Sequence, residues 1–331
     1  MISQHRFKSK HADAVYHCIS RTISGEKLFD DEAKEILRKQ LHQVADFSGV
    51  EILTYTIMSN HFHILVRVKE QKNVSDEELL RRYKMLYPKP NKWNTVQIEL
   101  IAAAFKENGA DAERIRKQLL ARMGDLSEFM KTLKQRYTIW FNRNHKRFGP
   151  LWAERFTSII IEGSHHFSLQ MMAAYIDLNP VRAGLVRDPK DYHWSGYGEA
   201  EAVGGKMLAG LRQVVSGAEN LSDKEVLAAY RVGLYGKGAA AKRGDPKAAR
   251  ISSEDFAAVQ KADGKLTGVS RARLRVSWFT RGAVIGSCGF VKEHLNEYRG
   301  HTRKRRHMEP KVFSTEEGDE WSEIYSMRAR D

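Results

Sequence analysis

Two histidines at alternate positions, His61 and His63, are the sharpest chemical feature of the sequence. They lie in an apolar run that is typical of a β-strand, and residues two apart on a strand project from the same face. Two imidazoles that leave one face together suit a divalent metal ion or a proton relay. The alternative is a pair of unconnected histidines on a polar sheet face, and the spacing alone does not separate the two interpretations.

A tyrosine and an asparagine one helical turn apart, Tyr175 and Asn179, form the second feature. Residues at this spacing share a helix face, so both side chains would approach one neighbour. The structural alternative makes Tyr175 a packing aromatic and Asn179 a stop residue before Pro180. Tyr137, beside Arg136 on an earlier helix, is a rival for tyrosine chemistry, but it lies on an apolar stripe where core packing is the usual role.

The third feature, residues 147–156 (RFGPLWAERF), interleaves arginines and aromatic side chains around a Gly-Pro turn. Arginine pairs with phosphate through two hydrogen bonds, and aromatic rings stack on unpaired bases. The composition favours a contact with nucleic acid. Trp152 and Phe156 could also enter the core, and both interpretations can hold together.

The elements that must position these residues alternate along the first 178 residues. Periodicity and turn signals predict strands at 13–21, 50–58, 61–68 and 155–162, and helices at 31–47, 127–145 and 164–178. The order β-α-β-β-α-β of the first six elements matches the ferredoxin-like arrangement, an α+β fold in which an antiparallel sheet carries helices on one face.

Two segments interrupt or follow this pattern. Residues 70–125 contain short helical stretches and two prolines, which indicates a helical insertion. From residue 198 the composition changes, with a linker-like basic run at 237–244, recovered apolar content at 251–300, a basic strand-like run at 271–275 (RARLR) and a basic tail at 303–306. We expect a catalytic domain at 1–197 and a small basic accessory region at 198–331, which either binds DNA or is a solvated extension.

The composition favours a polyanionic partner. The chain has 55 Lys+Arg against 41 Asp+Glu, a net charge of +14, and basic side chains bind nucleic acid by releasing its counterions. No apolar run approaches the ~20 residues that a bilayer crossing needs, and the first residues lack a signal-peptide stretch. Only Cys18 and Cys288 occur, which excludes a disulfide framework and a four-cysteine zinc site.

These features occur together, and they follow one another along the chain in the order found in a known protein family. The sequence resembles the HUH-type single-tyrosine transposases, and within them the REP-associated tyrosine transposases of bacteria, over about residues 10–197. The resemblance rests on residues 16–21 (YHCISR), 58–66 (MSNHFHILV), 149–156 (GPLWAERF), 175–184 (YIDLNPVRAG) and 192–195 (YHWS). The family fold is ferredoxin-like, which agrees with the element order.

The resemblance implies roles for individual residues. His61 and His63 correspond to the metal ligands, and Tyr175 corresponds to the nucleophile. Asn179 falls where the family has an amide side chain, as a third metal ligand or a near neighbour, although Asn is shorter than the Gln of simpler members. The implied cofactor is Mg²⁺ or Mn²⁺. Contacts to nucleic acid are expected from Arg21, Arg136, Arg147, Trp152, Arg155 and Arg182.

The implied function is metal-dependent cleavage and rejoining of single-stranded DNA at hairpin-forming, REP-type palindromes through a 5′-phosphotyrosine intermediate. Two other classes stay open: a domesticated protein that binds DNA hairpins without turnover, and a metal-dependent RNA phosphodiesterase. The expected partner is single-stranded or hairpin DNA, with no membrane, in the bacterial cytoplasm or on the nucleoid. We expect a monomer rather than a homodimer, because the helix that carries Tyr175 directly follows the compact fold and could serve its own histidines.

Overall fold

The computed structural model describes residue 9 and residues 11–235, 282–301, 309–312 and 324–328. Up to residue 161 the elements are, in order, β1 (Asp13–Arg21), α1 (Asp31–Ser48), β2 (Val50–Ile57), β3 (His61–Lys69), α2 (Asp76–Met85), α3 (Lys92–Glu107), α4 (Ala110–Leu120), α5 (Leu126–Asn144) and β4 (Thr157–Ile161). They are followed by α6 (His166–Asp177), α7 (Asn179–Arg182), α8 (Gly196–Val203), α9 (Gly205–Val214), α10 (Asp223–Tyr235), β5 (Gly282–Gly286), α11 (Cys288–His301), β6 (Lys311–Val312) and β7 (Tyr325–Arg328).

Strands β1 to β4 form the predicted ferredoxin-like sheet. Their spatial order is β2-β3-β1-β4, and each neighbouring pair is antiparallel. Two βαβ crossovers interleave in this order, since β3 lies between β1 and β2 and β1 lies between β3 and β4. The α+β fold class is therefore confirmed.

Helices α1 and α5 cover one face of this sheet. The Tyr137 hydroxyl of α5 donates a hydrogen bond to the Ala33 carbonyl of α1 at 3.1 Å. Below them, the Phe62 ring of β3 contacts Trp152, which also contacts Tyr137. Because Phe62 lies between His61 and His63, this packing directs both histidines to the opposite face.

Local sequence signals set the boundaries of the elements that lead into the site. Asp30 caps α1 by accepting a hydrogen bond from the Ala33 N–H at 2.8 Å, and Gly49 ends the helix at φ +67°. The Ser59-Asn60 turn connects β2 to β3, and the Met58 N–H donates to the His61 carbonyl at 2.8 Å. This turn fixes the register of the strand that carries both histidines.

Helices α2, α3 and α4 occupy the segment between β3 and α5 that the sequence assigns to an insertion. Ser75 and Asn91 cap α2 and α3 through their side chains. The Arg116 guanidinium of α4 pairs with the Asp76 carboxylate of α2 at 2.7 Å. The three helices thus form their own small layer beside α1.

The described residues beyond 197 extend the same sheet and the same core. Strand β5 pairs with β4 in parallel, and the order among the described strands is β2-β3-β1-β4-β5-β7-β6. Helices α6 and α9 cover the face opposite α1 and α5, with α9 against β2, and α10 packs on α6 and α9. The domain division at 197 stays a prediction, but the described residues on both sides of it share one hydrophobic cluster.

Three predicted features of the later sequence, at 237–244, 271–275 and 303–306, lie outside the described residues. Within the part of the chain that the structure describes, no helix has the length and apolar run needed to cross a membrane.

Candidate active site

The pairing of β1 with β3 determines which side chains lie next to His61 and His63 on the sheet. In this register Arg21 lies opposite His61, Ile19 opposite His63, and His17 opposite Leu65. All of these residues project from the sheet face opposite Phe62, because strand side chains alternate. The rings of His61 and His63 are 5.1 Å apart and nearly perpendicular. The two histidines predicted from their spacing therefore do converge.

The hydrogen bonds of His61 fix its tautomer. Its Nδ1 is 2.7 Å from the Asn60 side-chain oxygen, and the Asn60 amide nitrogen donates to the Gly25 carbonyl at 2.9 Å. The Asn60 oxygen can only accept, so Nδ1 of His61 carries the proton. The lone pair of Nε2 is then available to a ligand, which is the state in which imidazole binds a metal ion.

His63 lies deeper, and its ring is held by a third histidine. Nδ1 of His63 is 2.9 Å from Nε2 of His17, and the two rings are almost parallel at 5.1 Å. His17 is fully buried in the central strand β1. Spacing alone does not mark His17 as a site residue, although its place on the same strand face as Ile19 and Arg21 follows from simple alternation.

Electrostatics keep the two predicted ligands neutral. Burial, with smaller contributions from Arg21 and Arg182, lowers the pKa of His61 to about 4. Burial and the neighbouring histidines lower the pKa of His63 well below its usual value. Neutral imidazoles are the form that ligates metal, so the donor set fits a divalent cation.

The protein donors available to such a cation are few. Among the described residues no group of three or more His, Cys, Asp or Glu side chains is arranged to hold a metal ion. An ion at His61 and His63 would thus take its further ligands from an amide, from water or from phosphate oxygens, as Mg²⁺ commonly does. Metal dependence therefore stays a prediction.

The helix that carries the predicted nucleophile, α6, is fixed over the histidines by two threonines of β2. The Thr56 hydroxyl donates to the Ile176 carbonyl at 2.8 Å, and the Thr54 hydroxyl donates to the Asp177 carboxylate at 2.8 and 3.0 Å. Thr56 lies directly opposite His63 in the sheet. The last turn of α6 is therefore attached to the strand next to β3.

Asp177 also joins α6 to the later helices. Its fully buried carboxylate accepts from the Tyr230 hydroxyl of α10 and from the Tyr197 N–H of α8 at 3.3 Å. Burial raises the pKa of this carboxyl to about 7, although the hydrogen bonds from Tyr230, Thr54 and Tyr197 oppose the shift. Three elements outside α6 thus determine where its last turn sits.

The ring of Tyr175, the predicted nucleophile, packs against two of the histidines. Its ring is 5.6 Å from that of His63 and 6.0 Å from that of His17, edge-on to both. The residue is 3% exposed. Burial raises the pKa of its hydroxyl, while Arg182 and Arg21 act in the opposite direction. The Arg182 guanidinium lies 4.3 Å from the centre of the Tyr175 ring, which is a cation–π contact.

Asn179 is engaged on both sides of its amide. The nitrogen donates to the carbonyls of Tyr175 and Ile176 at 2.8 and 3.2 Å, and the oxygen accepts from Arg182 at 2.7 Å. The two bonds from the amide nitrogen pair with backbone carbonyls of the last turn of α6, and they hold the start of α7 against the end of α6. The oxygen retains one lone pair, so its role as a metal ligand stays a prediction.

Several predicted residues lie away from this centre. Tyr137 is 0% exposed and its hydroxyl is used inside the core, as its apolar stripe indicates. The Trp152 indole N–H donates to the Thr138 hydroxyl at 2.8 Å, and its ring packs among core aromatics. Arg136 donates to the Leu86 carbonyl and lies over the Tyr87 ring, so it joins α5 to the insertion.

Three further predicted arginines, Arg21, Arg147 and Arg155, lie at the end of β1 or in the 147–156 segment next to it. Arg21 and Arg155 are exposed, and Arg147 is half-buried. The Ala153 N–H donates to the Arg21 carbonyl at 3.0 Å, which brings the 147–156 segment to the end of β1 beside His61. Of the aromatic residues in that segment, Phe148 is the one that projects outward, at 93% exposure.

Comparisons with known proteins agree with the motifs. Residues 10–87 match the family model described as "Transposase IS200 like", a span that includes β1, α1, β2 and β3 with His61 and His63. No curated protein matches the chain.

Among solved structures, the chain is similar to a REP-associated tyrosine transposase bound to a REP hairpin. The two share 15% identity, with 61% of this chain and 87% of that chain covered and a TM-score of 0.36. The REP hairpin is the ligand of that solved protein. Over residues 10–87, which include the motifs at 16–21 and 58–66, the family model confirms the resemblance drawn from the sequence, and this part of the chain is similar to the IS200-like transposases.

Proposed function

We propose that this chain cleaves and rejoins single-stranded DNA at hairpin-forming, REP-type sequences through a covalent link to Tyr175. The observation that carries the proposal is the packing of the Tyr175 ring against His63 and His17 within one chain. The ring centres are 5.6 Å and 6.0 Å apart, respectively. The motif that contains His61 and His63 lies in the segment that matches IS200-like transposases.

The reaction uses the Tyr175 hydroxyl as nucleophile. Its oxygen attacks the scissile phosphorus, the bond from phosphorus to the 3′ oxygen breaks, and that oxygen leaves with a proton as a free 3′-OH. The downstream strand stays attached as a 5′-phosphotyrosine. Because one phosphodiester is exchanged for another, attack by a 3′-OH in the reverse direction rejoins strands without an external energy source.

The residues around Tyr175 supply what the phenol lacks. Its pKa lies above the ordinary ~10, so at neutral pH the hydroxyl is a weak nucleophile without assistance. Arg182, over the ring, stabilises negative charge on the phenol oxygen. A Mg²⁺ or Mn²⁺ ion held by His61 and His63, with Asn179 in reach of a third position, would polarise the scissile phosphate.

The surface around the site supports a polyanionic substrate. Exposed Arg21 and Arg155 lie on one rim, and the chain carries a net charge of +14. A hairpin offers stem phosphates to such side chains, and an exposed aromatic such as Phe148 suits an unpaired base. The complete Tyr–His arrangement in one chain supports action as a monomer.

The test compares Tyr175→Phe with Tyr137→Phe on an end-labelled hairpin oligonucleotide. Tyr175→Phe should bind the DNA, form no covalent complex and release no 3′-OH product, whereas Tyr137→Phe, matched in chemistry but altered in the core, should retain both activities. With the native protein, only the downstream fragment should migrate with protein on a denaturing gel.

Two outcomes would favour the other function classes. Cleavage without any adduct would mean that a metal-activated water attacks, as in a phosphodiesterase. Tight hairpin binding by the native protein with neither cleavage nor adduct, in the presence of Mg²⁺ and Mn²⁺, would identify a binding protein without turnover.

A further inference from the structure

His17 has the geometry of a positioning residue for the candidate metal site. It is fully buried in the central strand, its Nε2 is 2.9 Å from Nδ1 of His63, and its ring contacts the edge of Tyr175 at 6.0 Å. It thus touches both the deeper predicted ligand and the predicted nucleophile. The sequence motifs assign no role to it.

The direction of the hydrogen bond between the two histidines decides what His63 can do. If Nδ1 of His63 donates to Nε2 of His17, Nε2 of His63 keeps a free lone pair for a ligand. If Nε2 of His17 donates instead, the His63 proton sits on Nε2 and blocks that position. Only one nitrogen of a neutral imidazole carries a proton, so the two states exclude each other.

We propose that His17 accepts the hydrogen bond from Nδ1 of His63 and thereby holds the Nε2 lone pair of His63 towards the metal position, with the ring at a fixed angle to Tyr175. This inference rests on the proposed function. It extends to His63 the arrangement seen at His61, where the Asn60 oxygen accepts from Nδ1. Both ligands would then be oriented by a partner on their second nitrogen, a common device of metal sites.

The packing around His17 explains why a histidine serves here. Its cross-strand neighbours are Leu65 on β3 and Ile159 on β4, and His17 and His63 are both buried, at 0% and 1% exposure. In such surroundings a hydrogen bond between neutral rings is strong and its loss is costly. A hydrophobic residue at position 17 would leave Nδ1 of His63 without this acceptor.

The direct test is a measurement of imidazole tautomers by nitrogen NMR on the full-length, metal-free protein. His145 is an internal reference, because its Nδ1 lies 3.0 Å from the Phe141 carbonyl and must carry the proton. His63 should give the same Nδ1–H signature as His145. An Nε2–H signature at His63 would overturn the proposal, whatever the protein does to DNA.

A second measurement uses two variants and Mn²⁺ alone. His17→Phe keeps a ring of similar size but removes the acceptor, and it should weaken Mn²⁺ binding by about 10- to 100-fold by calorimetry. His17→Gln can place an amide oxygen near the same position and should recover a large part of that loss. Unchanged Mn²⁺ affinity in a folded His17→Phe protein would contradict the proposal, and equal losses in both variants would reduce His17 to a packing role.

If His17→Phe does not fold, the wild-type tautomer and the His17→Gln affinity still decide. If native protein shows the Nδ1–H tautomer and binds Mn²⁺ but forms no DNA adduct, the positioning role stands and the proposed transposase function fails. The two conclusions are therefore separable.

Discussion

Replacement of Asp177 by asparagine should change the pH dependence of folding in a defined way. The buried carboxyl of Asp177 has its pKa raised to about 7, above the ~3.9 of an unfolded chain. Between these values the folded state binds a proton that the unfolded state does not. Asp177 thus contributes stability at low pH, and this contribution is lost as the pH rises through about 7.

The size of the effect follows from the pKa. When the pH falls from about 8 to about 5, it passes the Asp177 pKa and ends roughly two units below it. Over those two units the folded state holds one more proton than the unfolded state, and each unit adds about 1.4 kcal/mol to the free energy of unfolding. The amide that replaces this carboxyl in the variant does not titrate, and every other titratable group is common to both proteins. The unfolding free energy of the wild type relative to Asp177→Asn should therefore increase by about 3 kcal/mol between about pH 8 and about pH 5.

The assay is urea unfolding of both proteins at the two pH values, followed by tryptophan fluorescence and analysed by linear extrapolation. Tyr230→Phe offers a control, since it removes one hydrogen bond that lowers the Asp177 pKa and should extend the pH dependence to higher pH. A difference between wild type and Asp177→Asn that is the same at both pH values would refute the account of this carboxyl.

Three further predictions concern the proposed reaction and its DNA substrate. His61→Ala and His63→Ala should bind hairpin DNA but not cleave it, because affinity comes from dispersed phosphate contacts. EDTA should likewise abolish cleavage by the native protein without abolishing binding. Undiminished cleavage in EDTA would remove the metal from the mechanism. Arg155→Ala should lower the slope of log affinity against log salt by about one, whereas Arg136→Ala, which alters an internal contact, should leave the slope unchanged. A mixture of Tyr175→Phe and His63→Ala chains should not recover cleavage, since the ring contact lies within one chain, and recovery would indicate an active site shared between two chains.

Local patterns carried much of the fold. The β-α-β-β-α-β order and the place of α6 along the chain follow from alternation, helical periodicity and turn residues, which act over a few residues. The same patterns put His61 and His63 on one strand face and Tyr175 on a helix. Apolar periodicity also indicated that Tyr137 belongs to the core.

Contacts between distant segments were not predictable from these patterns. His17 is separated from His63 by one strand pairing whose register no local signal sets, so its hydrogen bond was missed. The same holds for Thr54 and Tyr230, which meet at Asp177 from positions more than fifty residues away on either side.

Side-chain direction was a second limit of sequence reasoning. In the 147–156 segment, Trp152 turns inward to donate its N–H, whereas Phe148 projects into solvent. A mixed aromatic and basic run does not reveal which of its rings is buried. Likewise, the parallel pairing of β5 with β4 joins segments over a hundred residues apart, so the extension of the sheet had no local signal.

Covalent attachment of the Tyr175 hydroxyl to the 5′ phosphate of the cleaved strand separates the proposed transposase from the two other function classes. The most direct measurement is mass spectrometry of proteolysed native protein after reaction with a hairpin oligonucleotide and Mn²⁺. We expect the peptide that contains Tyr175 to carry the added nucleotide mass, and the peptide that contains Tyr137 to be unmodified. A nucleotide on any other residue, or cleaved DNA with no modified peptide, would contradict the account.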